Sequence, residues 1–446
     1  MQYVKDIEVE YNVDVLVVGG GPSGVAAAWS AAQKGCKVMI VENSGCFGGM
    51  GTIGKVPMFC LFTDGINFLA GGFGKLIHEK CFEYGAVSPD DPKIHEKKQG
   101  SISINAEKLK RIYDNIVLEA GIETLFYTKL IDSIVTGNAI DCVVCSGKSH
   151  LFAIKSKIYI DCTGDGILSY YSGATYEKGD ENGNLQAGTL CTVWADIDWA
   201  TANEKASDGL WPRQDHKIEE AYKDGVFKIL DKHLPGIWRT GDTIGGGNVG
   251  HAFGVDGTDE ISLTNASFEQ RQRLAEYEKY YRSYVEGFEN ATVIDSGEIM
   301  GIRETRRIVC DYKMTVKDYF DRAVFQDEIG RYAYSIDIHA STSAEHEKYE
   351  KLFFTSGLDR GESYGIPYRA LIPVGLNNLL VAGRCISCDR YMQASVRVMP
   401  GCFITGQAAG MAAAIACKHG ADTRSVDIKE IQNSLKSIGG YLPNLK

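Results

Sequence analysis

VDVLVVGGGPSGVAAAWSAAQKGCKVMIVE, residues 13–42, decides the fold. Val13–Val18 is the kind of apolar run that a buried parallel strand requires. Pro22–Lys34 is Ala-rich and reads as a helix ending at Gly35, and Lys37–Val41 reads as the next strand. Between first strand and helix stand Gly19, Gly21 and Gly24, in G-x-G-x-x-G spacing. The first glycine suits a tight turn, the second a close approach of backbone to a pyrophosphate, and the third close helix–strand packing. The helix start adds free N–H donors and a positive dipole end. Glu42 closes the second strand, where a carboxylate can accept from a ribose hydroxyl. A plain glycine turn would not need strand, helix, second strand and carboxylate together. The unit therefore predicts an α/β chain with a Rossmann-type dinucleotide-binding domain.

Context carries that reading, because the bare glycine pattern recurs. Gly49/Gly51/Gly54 and Gly245/Gly247/Gly250 both match it. Neither follows an apolar strand or opens an amphipathic helix, so neither is a fingerprint. No second Rossmann unit follows from them, and hence no dedicated NAD(P) domain.

Beyond Glu42, a helix is expected over Ala106–Ala120, with Asn105 as N-cap and Gly121 as stop. Runs at Ile122–Tyr127, Leu130–Val135, Ala139–Cys145, Leu151–Ile154 and Ile158–Ile160 read as strands, with turns at Gly137–Asn138 and Gly147–Lys148 that imply antiparallel hairpins. After about Cys191 the chain is richer in Trp, Tyr and charge, with a helix expected over Phe268–Gly287. Ser267 and Gln270 make a capping-box pattern there, and Leu274, Tyr277, Tyr281, Tyr284 and Phe288 form a stripe best read as core. From Ile366 the earlier style returns, with a strand at Leu379–Ala382 and an Ala-rich helix over Cys402–Lys418. The organisation expected is a parallel sheet with an antiparallel hairpin insert over residues 1–190, an inserted α+β substrate domain over 191–364, and a return to the first domain over 365–446.

The length, 446 residues, exceeds what one core normally holds. A net charge of −11 with no basic arm argues against nucleic acid or an anionic membrane as partner. No signal-peptide pattern opens the chain and no stretch suggests a membrane helix, so a cytoplasmic protein is expected. Thirteen scattered cysteines fit reduced thiols. Two C-x-x-C pairs, Cys142/Cys145 and Cys385/Cys388, lie 240 residues apart and are not read as a metal site.

Three further segments narrow the cofactor: GCFGGMGT (Gly45–Thr52), IDCTGDG (Ile160–Gly166) and NLLVAGRCISCDRYMQASVRVMPGCFITGQAAGMAAA (Asn378–Ala414). With GIRETRR (Gly301–Arg307), they make the chain resemble a bacterial FAD-dependent oxidoreductase family of the glutathione-reductase-like flavoprotein superfamily, in order from about Val13 to Ala416. The resemblance implies FAD as cofactor. Gly19, Gly21, Pro22, Ser23 and Gly24 would hold its pyrophosphate, and Glu42 and Asn43 the adenosine ribose. Gly49, Met50 and Thr52 would run along pyrophosphate and flavin. Leu130 would contact adenine, and Thr163, Gly164 and Asp165 would flank the adenosine end. Gly383 and Arg384 would approach the ribityl chain, where many flavoproteins carry an acidic residue. The helix opening near Cys402 would aim its dipole at the flavin. No His occurs in Gly45–Gly54, so FAD is expected to be non-covalent.

On the substrate side, a guanidinium can clamp a carboxylate or polarise a carbonyl, and Arg303 is the family-matched arginine of GIRETRR. His251, His339 and Arg369 are further candidate catalytic groups, with Asp389 a pocket candidate. The substrate expected is a small polar organic molecule bearing a carboxylate or hydroxyl. Thiol–disulfide exchange through Cys385/Cys388 and a non-catalytic flavin protein are the alternatives.

Overall fold

The computed structural model describes residues 4–90, 100–205, 215–231, 236–342 and 357–445. Strand β1 (Val9–Val18), helix α1 (Pro22–Ala32) and strand β2 (Val38–Val41) form the opening unit. Helix α2 (Ala106–Glu119) leads to β3 (Glu123–Leu125), and Asn105 caps α2 by accepting from the Lys108 amide. Strands β4 (Lys129–Thr136), β5 (Ala139–Ser146) and β6 (Leu151–Asp161) follow. The sequence splits β6 into two runs, because Lys155 and Lys157 interrupt its apolar pattern. In the fold both are exposed while Ser156 between them is buried, so the strand continues through them.

β1 pairs in parallel with β2 (Val15 opposite Val38) and with β6 (Val15 opposite Ile158). β2 pairs in parallel with β3. The first half of β6 pairs antiparallel with β5, and β5 with β4. The late strand β11 (Leu379–Val381) returns parallel to the second half of β6, Leu379 opposite Tyr159. The result is a parallel sheet with an antiparallel hairpin insert, the Rossmann-type arrangement.

A second sheet is formed from β7 (Thr192–Ala195), β8 (Gly236–Arg239), β9 (Gly245–Asn248) and β10 (Thr292–Ser296), in the order β8–β9–β7–β10. Helix α3 (Glu260–Tyr284) packs Tyr277, Tyr280 and Tyr281 into the core under it, beside Trp194 and Phe288. Its start corrects the sequence reading. Asp259 caps it, accepting from the Ser262 amide, and the Ser267 hydroxyl turns back to the Leu263 carbonyl. Glycines in and just after β9 serve packing. A Cβ on Gly247 would stand 2.7 Å from the Trp194 indole nitrogen, and one on Gly250 2.0 Å from the Tyr277 hydroxyl. Residues from Ile308 onward join the core of the first sheet.

Helix α4 (Arg390–Val396) precedes α5 (Met399–His419), which starts three residues before Cys402. A Cβ on Gly406 would lie 2.2 Å from the Ser23 carbonyl oxygen, and one on Gly410 1.9 Å from that of Ala27. These two glycines, one helical turn apart, let α5 lie against α1 and bring the end of the chain to its first motif. The 21-residue α5 is long and apolar enough to cross a membrane, which the sequence reading did not anticipate. Its apolarity is explained by position, since 94% of its most apolar window is buried inside the protein.

Candidate active site

Gly19 adopts φ +99°, and a side chain there would meet the Cys162 carbonyl oxygen at 2.6 Å. A Cβ on Gly24 would stand 1.8 Å from the Gly19 oxygen. Both positions are closed by backbone. Gly21 is the opposite: an added Cβ meets nothing within 4 Å. Gly21 is also the N-cap of α1, with no side-chain cap, so the helix directs unmatched N–H donors into that open space. Glu42 receives hydrogen bonds from the Gly20 and Ser44 amides, both 2.7 Å, which fixes its carboxylate beside the glycine turn. Each oxygen keeps a lone pair for a further donor. Asn43 is exposed next to it.

Gly48 donates to the Gly20 carbonyl at 2.8 Å, and a Cβ on Gly49 would lie 3.2 Å from Gly21 Cα. Residues Gly49–Gly51 therefore run over the glycine turn, and Gly51 faces Met399 at the start of α5. Thr52 is fully buried and its hydroxyl donates to the Phe47 carbonyl at 2.6 Å, a turn-closing role. Gly383, at φ +83°, packs on Ser23, and α5 begins without a side-chain cap. Leu130 sits in β4 opposite Cys145, and Thr128 two residues earlier bonds the Glu42 carbonyl. A continuous track thus leads from Glu42 across two uncapped helix starts, a surface suited to an extended diphosphate-bearing cofactor.

Thr163 bonds Asp161 through both amide and hydroxyl. Arg384 is tied to the protein by three contacts. Its guanidinium bonds the Gly164 carbonyl at 3.0 Å, the Ile302 carbonyl and the Asp165 carboxylate, which also accepts from Thr305. It clamps the 163–165 loop to residue 302.

GIRETRR sorts by partner. Glu304, fully buried, pairs with Arg307 and Arg390. Arg306 stacks 4.3 Å over Tyr170. Arg303 is 8% exposed and donates to the Ala187 carbonyl and the Thr189 hydroxyl, both 2.8 Å, with no carboxylate in ion-pair contact among the described residues. Burial, then the nearby Arg397 charge, push its guanidinium down to about 10, which still leaves it charged at neutral pH. Arg397, one residue before the α5 N-cap, was not singled out from the sequence. It bonds the Asp337 carbonyl at 3.0 Å and carboxylate at 3.4 Å, and its Nε is buried without a partner.

His251 and His339 come together, ring nitrogens 2.8 Å apart. Asp231 accepts from the His251 amide at 2.6 Å and from Arg273 at 3.2 Å. Burial alone would raise its carboxyl, but His251 and Arg273 outweigh burial and hold it below the ordinary carboxylate value. A depressed folded value stabilises the fold above the unfolded value, ~3.9, and that stabilisation is lost as pH falls through the folded one. Asp231→Asn should lose about 3–5 kcal/mol at neutral pH and show a flatter acid limb, measured by thermal melts from pH 7 down to pH ~3.

Two candidates are not in this site. Arg369 is exposed and pairs with Asp327 at 2.9 Å over the Tyr312 ring. Its flanking residues are buried, which makes IPYRALIP look like a pocket segment in sequence. Asp389 caps α4, accepting from Met392, and also accepts from the Val316 amide, both 2.7 Å. Cys385 and Cys388 are buried, their thiols pushed up by burial, and bond different carbonyls. Such thiols are unreactive. Among the described residues no group of three or more His, Cys, Asp or Glu is placed to hold a metal.

The family described as FAD dependent oxidoreductase matches residues 14–435, nearly the whole chain and every segment of the track. The chain belongs to this family. It is an FAD-dependent oxidoreductase, and the Gly21 opening and uncapped helix starts fit the cofactor. Thiamine thiazole synthase of Aeropyrum pernix is 26% identical over 205 residues, 44% of this chain and 68% of that protein. Digeranylgeranylglycerophospholipid reductase 1 of Methanopyrus kandleri is 33% identical over 108 residues, 24% of each chain. The match thus spans about two thirds of the first relative and a quarter of the second. A geranylgeranyl bacteriochlorophyll reductase-like structure from Thermoplasma acidophilum is 12% identical with a TM-score of 0.47, covering 96% of this chain and 83% of its own.

Proposed function

We propose that this oxidoreductase transfers hydride between non-covalent FAD and a small polar organic molecule bearing a carboxylate, carbonyl or hydroxyl group. The observation that carries the reading is Arg303, a buried charged guanidinium with no carboxylate in ion-pair contact among the described residues, close to Arg397 just before α5. A buried charge of this kind is costly unless something answers it. An anionic or polarised substrate oxygen would do so.

FAD, when bound, supplies two-electron hydride chemistry. In this proposal the glycine turn and the α1 start hold its pyrophosphate, Glu42 the adenosine ribose, and the α5 start faces the flavin. Arg303 orients the substrate and stabilises oxygen charge as hydride moves, and the His251–His339 pair handles the proton. Residues 1–190 and 365–446 would form the cofactor domain and 191–364 the substrate domain. The separate core around Trp194 and Tyr277 supports that excursion. The same reading places the chain in the glutathione-reductase-like superfamily and in a bacterial cytoplasm, with small molecules rather than nucleic acid or membrane as partners.

Anaerobic screening of the purified protein against a metabolite panel, read as loss of flavin absorbance, tests this function. A polar carboxylate or hydroxyl compound is expected to bleach the flavin. If none does, and no carbonyl analogue reoxidises the reduced protein, the proposal fails. Heat or acid should release all the FAD into the supernatant; flavin remaining with the precipitated chain would contradict non-covalent binding.

A further inference from the structure

Asp231, His251, His339 and Asp337 lie in one line of contacts. Asp231 Oδ1 is 3.0 Å from His251 Nδ1, His251 Nε2 is 2.8 Å from His339 Nδ1, and His339 Nε2 is 3.1 Å from Asp337 Oδ1. All four ring nitrogens are thereby engaged. Each link joins two atoms that carry lone pairs, so each needs one proton to be attractive. Three links need three protons. Ionised carboxylates bring none and two neutral imidazoles bring two. With only two, either the facing ring nitrogens meet lone pair to lone pair or a ring lone pair meets a carboxylate. Both rings are buried, His251 at 0% and His339 at 4% exposure, where such a clash is poorly relieved by water.

The two ends differ. Asp231 is sealed, with its side chain 1% exposed, and is held by the His251 amide and by Arg273, which also bonds the Tyr277 hydroxyl. Asp337 is 25% exposed and meets Arg397, with Arg303 and Tyr334 close enough to act on one another's charges. Burial raises the Tyr334 hydroxyl well above its ordinary value and the Cys60 thiol beside it to about 12, so neither releases a proton at neutral pH.

We propose that His251 and His339 form a proton store, holding three ring protons between them and exchanging the third through Asp337. The two carboxylates balance its charge. Its use in catalysis rests on the hydride-transfer reading above; the storage itself does not. A filled store is a donor. FAD, when bound, would supply the hydride for a substrate carbonyl carbon; as the C=O π electrons move to oxygen, the store would supply through Asp337 the proton that completes the O–H bond. Water refills the store through Asp337. In the reverse direction the store takes the hydroxyl proton as the C–H electron pair leaves with hydride.

Histidine labelled with ¹⁵N in the protein as purified, at neutral pH, reads the store directly. Three of the four ring nitrogens of His251 and His339 should carry protons, and one proton should couple to two nitrogens. Loss of those signals in either His339→Asn or His251→Asn assigns them. In Asp337→Asn the shared proton should exchange with water at least tenfold more slowly. Two protonated nitrogens in place of three overturns the store, and unchanged exchange in Asp337→Asn overturns the exit. Neither measurement needs a substrate. A failed metabolite screen would sink the redox reading and leave these results standing, and the converse holds.

Discussion

Gly21→Val is expected to give a folded, colourless protein. Gly21 has φ −70° and ψ −173°, an extended conformation that a β-branched residue accepts readily, and its added Cβ meets nothing within 4 Å. The chain itself therefore has no reason to reject valine. The cofactor does, because the side chain would fill the space beside the first amides of α1 that a pyrophosphate must enter. Loss of FAD should be complete at micromolar protein, with far-UV circular dichroism unchanged. Gly24→Val is the contrasting control. Its Cβ would stand 1.8 Å from the Gly19 oxygen, so folding itself should suffer. Normal flavin content in Gly21→Val would show that the cofactor does not lie across this turn.

Arg303→Ala is expected to keep FAD and lose turnover. Among the described residues the guanidinium's hydrogen bonds go to Ala187 and Thr189, neither of which lies along the cofactor track. Hydride transfer creates or removes charge on substrate oxygen. One preorganised donor at that charge is worth about 2.7–4 kcal/mol, roughly a hundred- to thousandfold in rate. Truncation also removes the hydrogen bonds to Ala187 and Thr189 and the attraction of Asp337, so a modest fall in melting temperature is expected beside the rate loss. Flavin occupancy, melting temperature and single-turnover flavin reduction on one preparation separate the roles. A lowered melting temperature with an unchanged reduction rate would make Arg303 structural.

The cofactor half of the fold was legible because its signals are local. An apolar strand, a glycine turn and an Ala-rich helix stand within thirty residues, and each element's preference agrees with the next. The start of α3 was not legible. Glu260 to Ala266 is polar or exposed on most sides, so no apolar stripe marks its first two turns, and Ser267 and Gln270 offered a plausible but wrong cap. The candidate site was half legible. Arg303 and the two histidines could be named from residue type and motif. Their meeting could not, because His251 and His339 are 88 residues apart in the chain, and Asp231 carries no local mark. Asp337, two residues before His339, and Arg397, just before the α5 start, stood in quoted or adjacent segments, and their positions beside candidate groups were the available signal. Arg369 and Asp389 failed for the complementary reason. Asp327 and the Val316 amide, which occupy them, are distant in sequence.

The hydride step is tested most directly by stopped-flow flavin reduction with the compound that bleaches the flavin, compared with the same compound deuterated at the reacting carbon. Deuterium is expected to slow the flavin absorbance change several-fold, and Arg303→Ala to slow it further without releasing FAD. Equal rates for the two isotopologues in single turnover, with substrate binding shown to be complete before reduction, would contradict the hydride step.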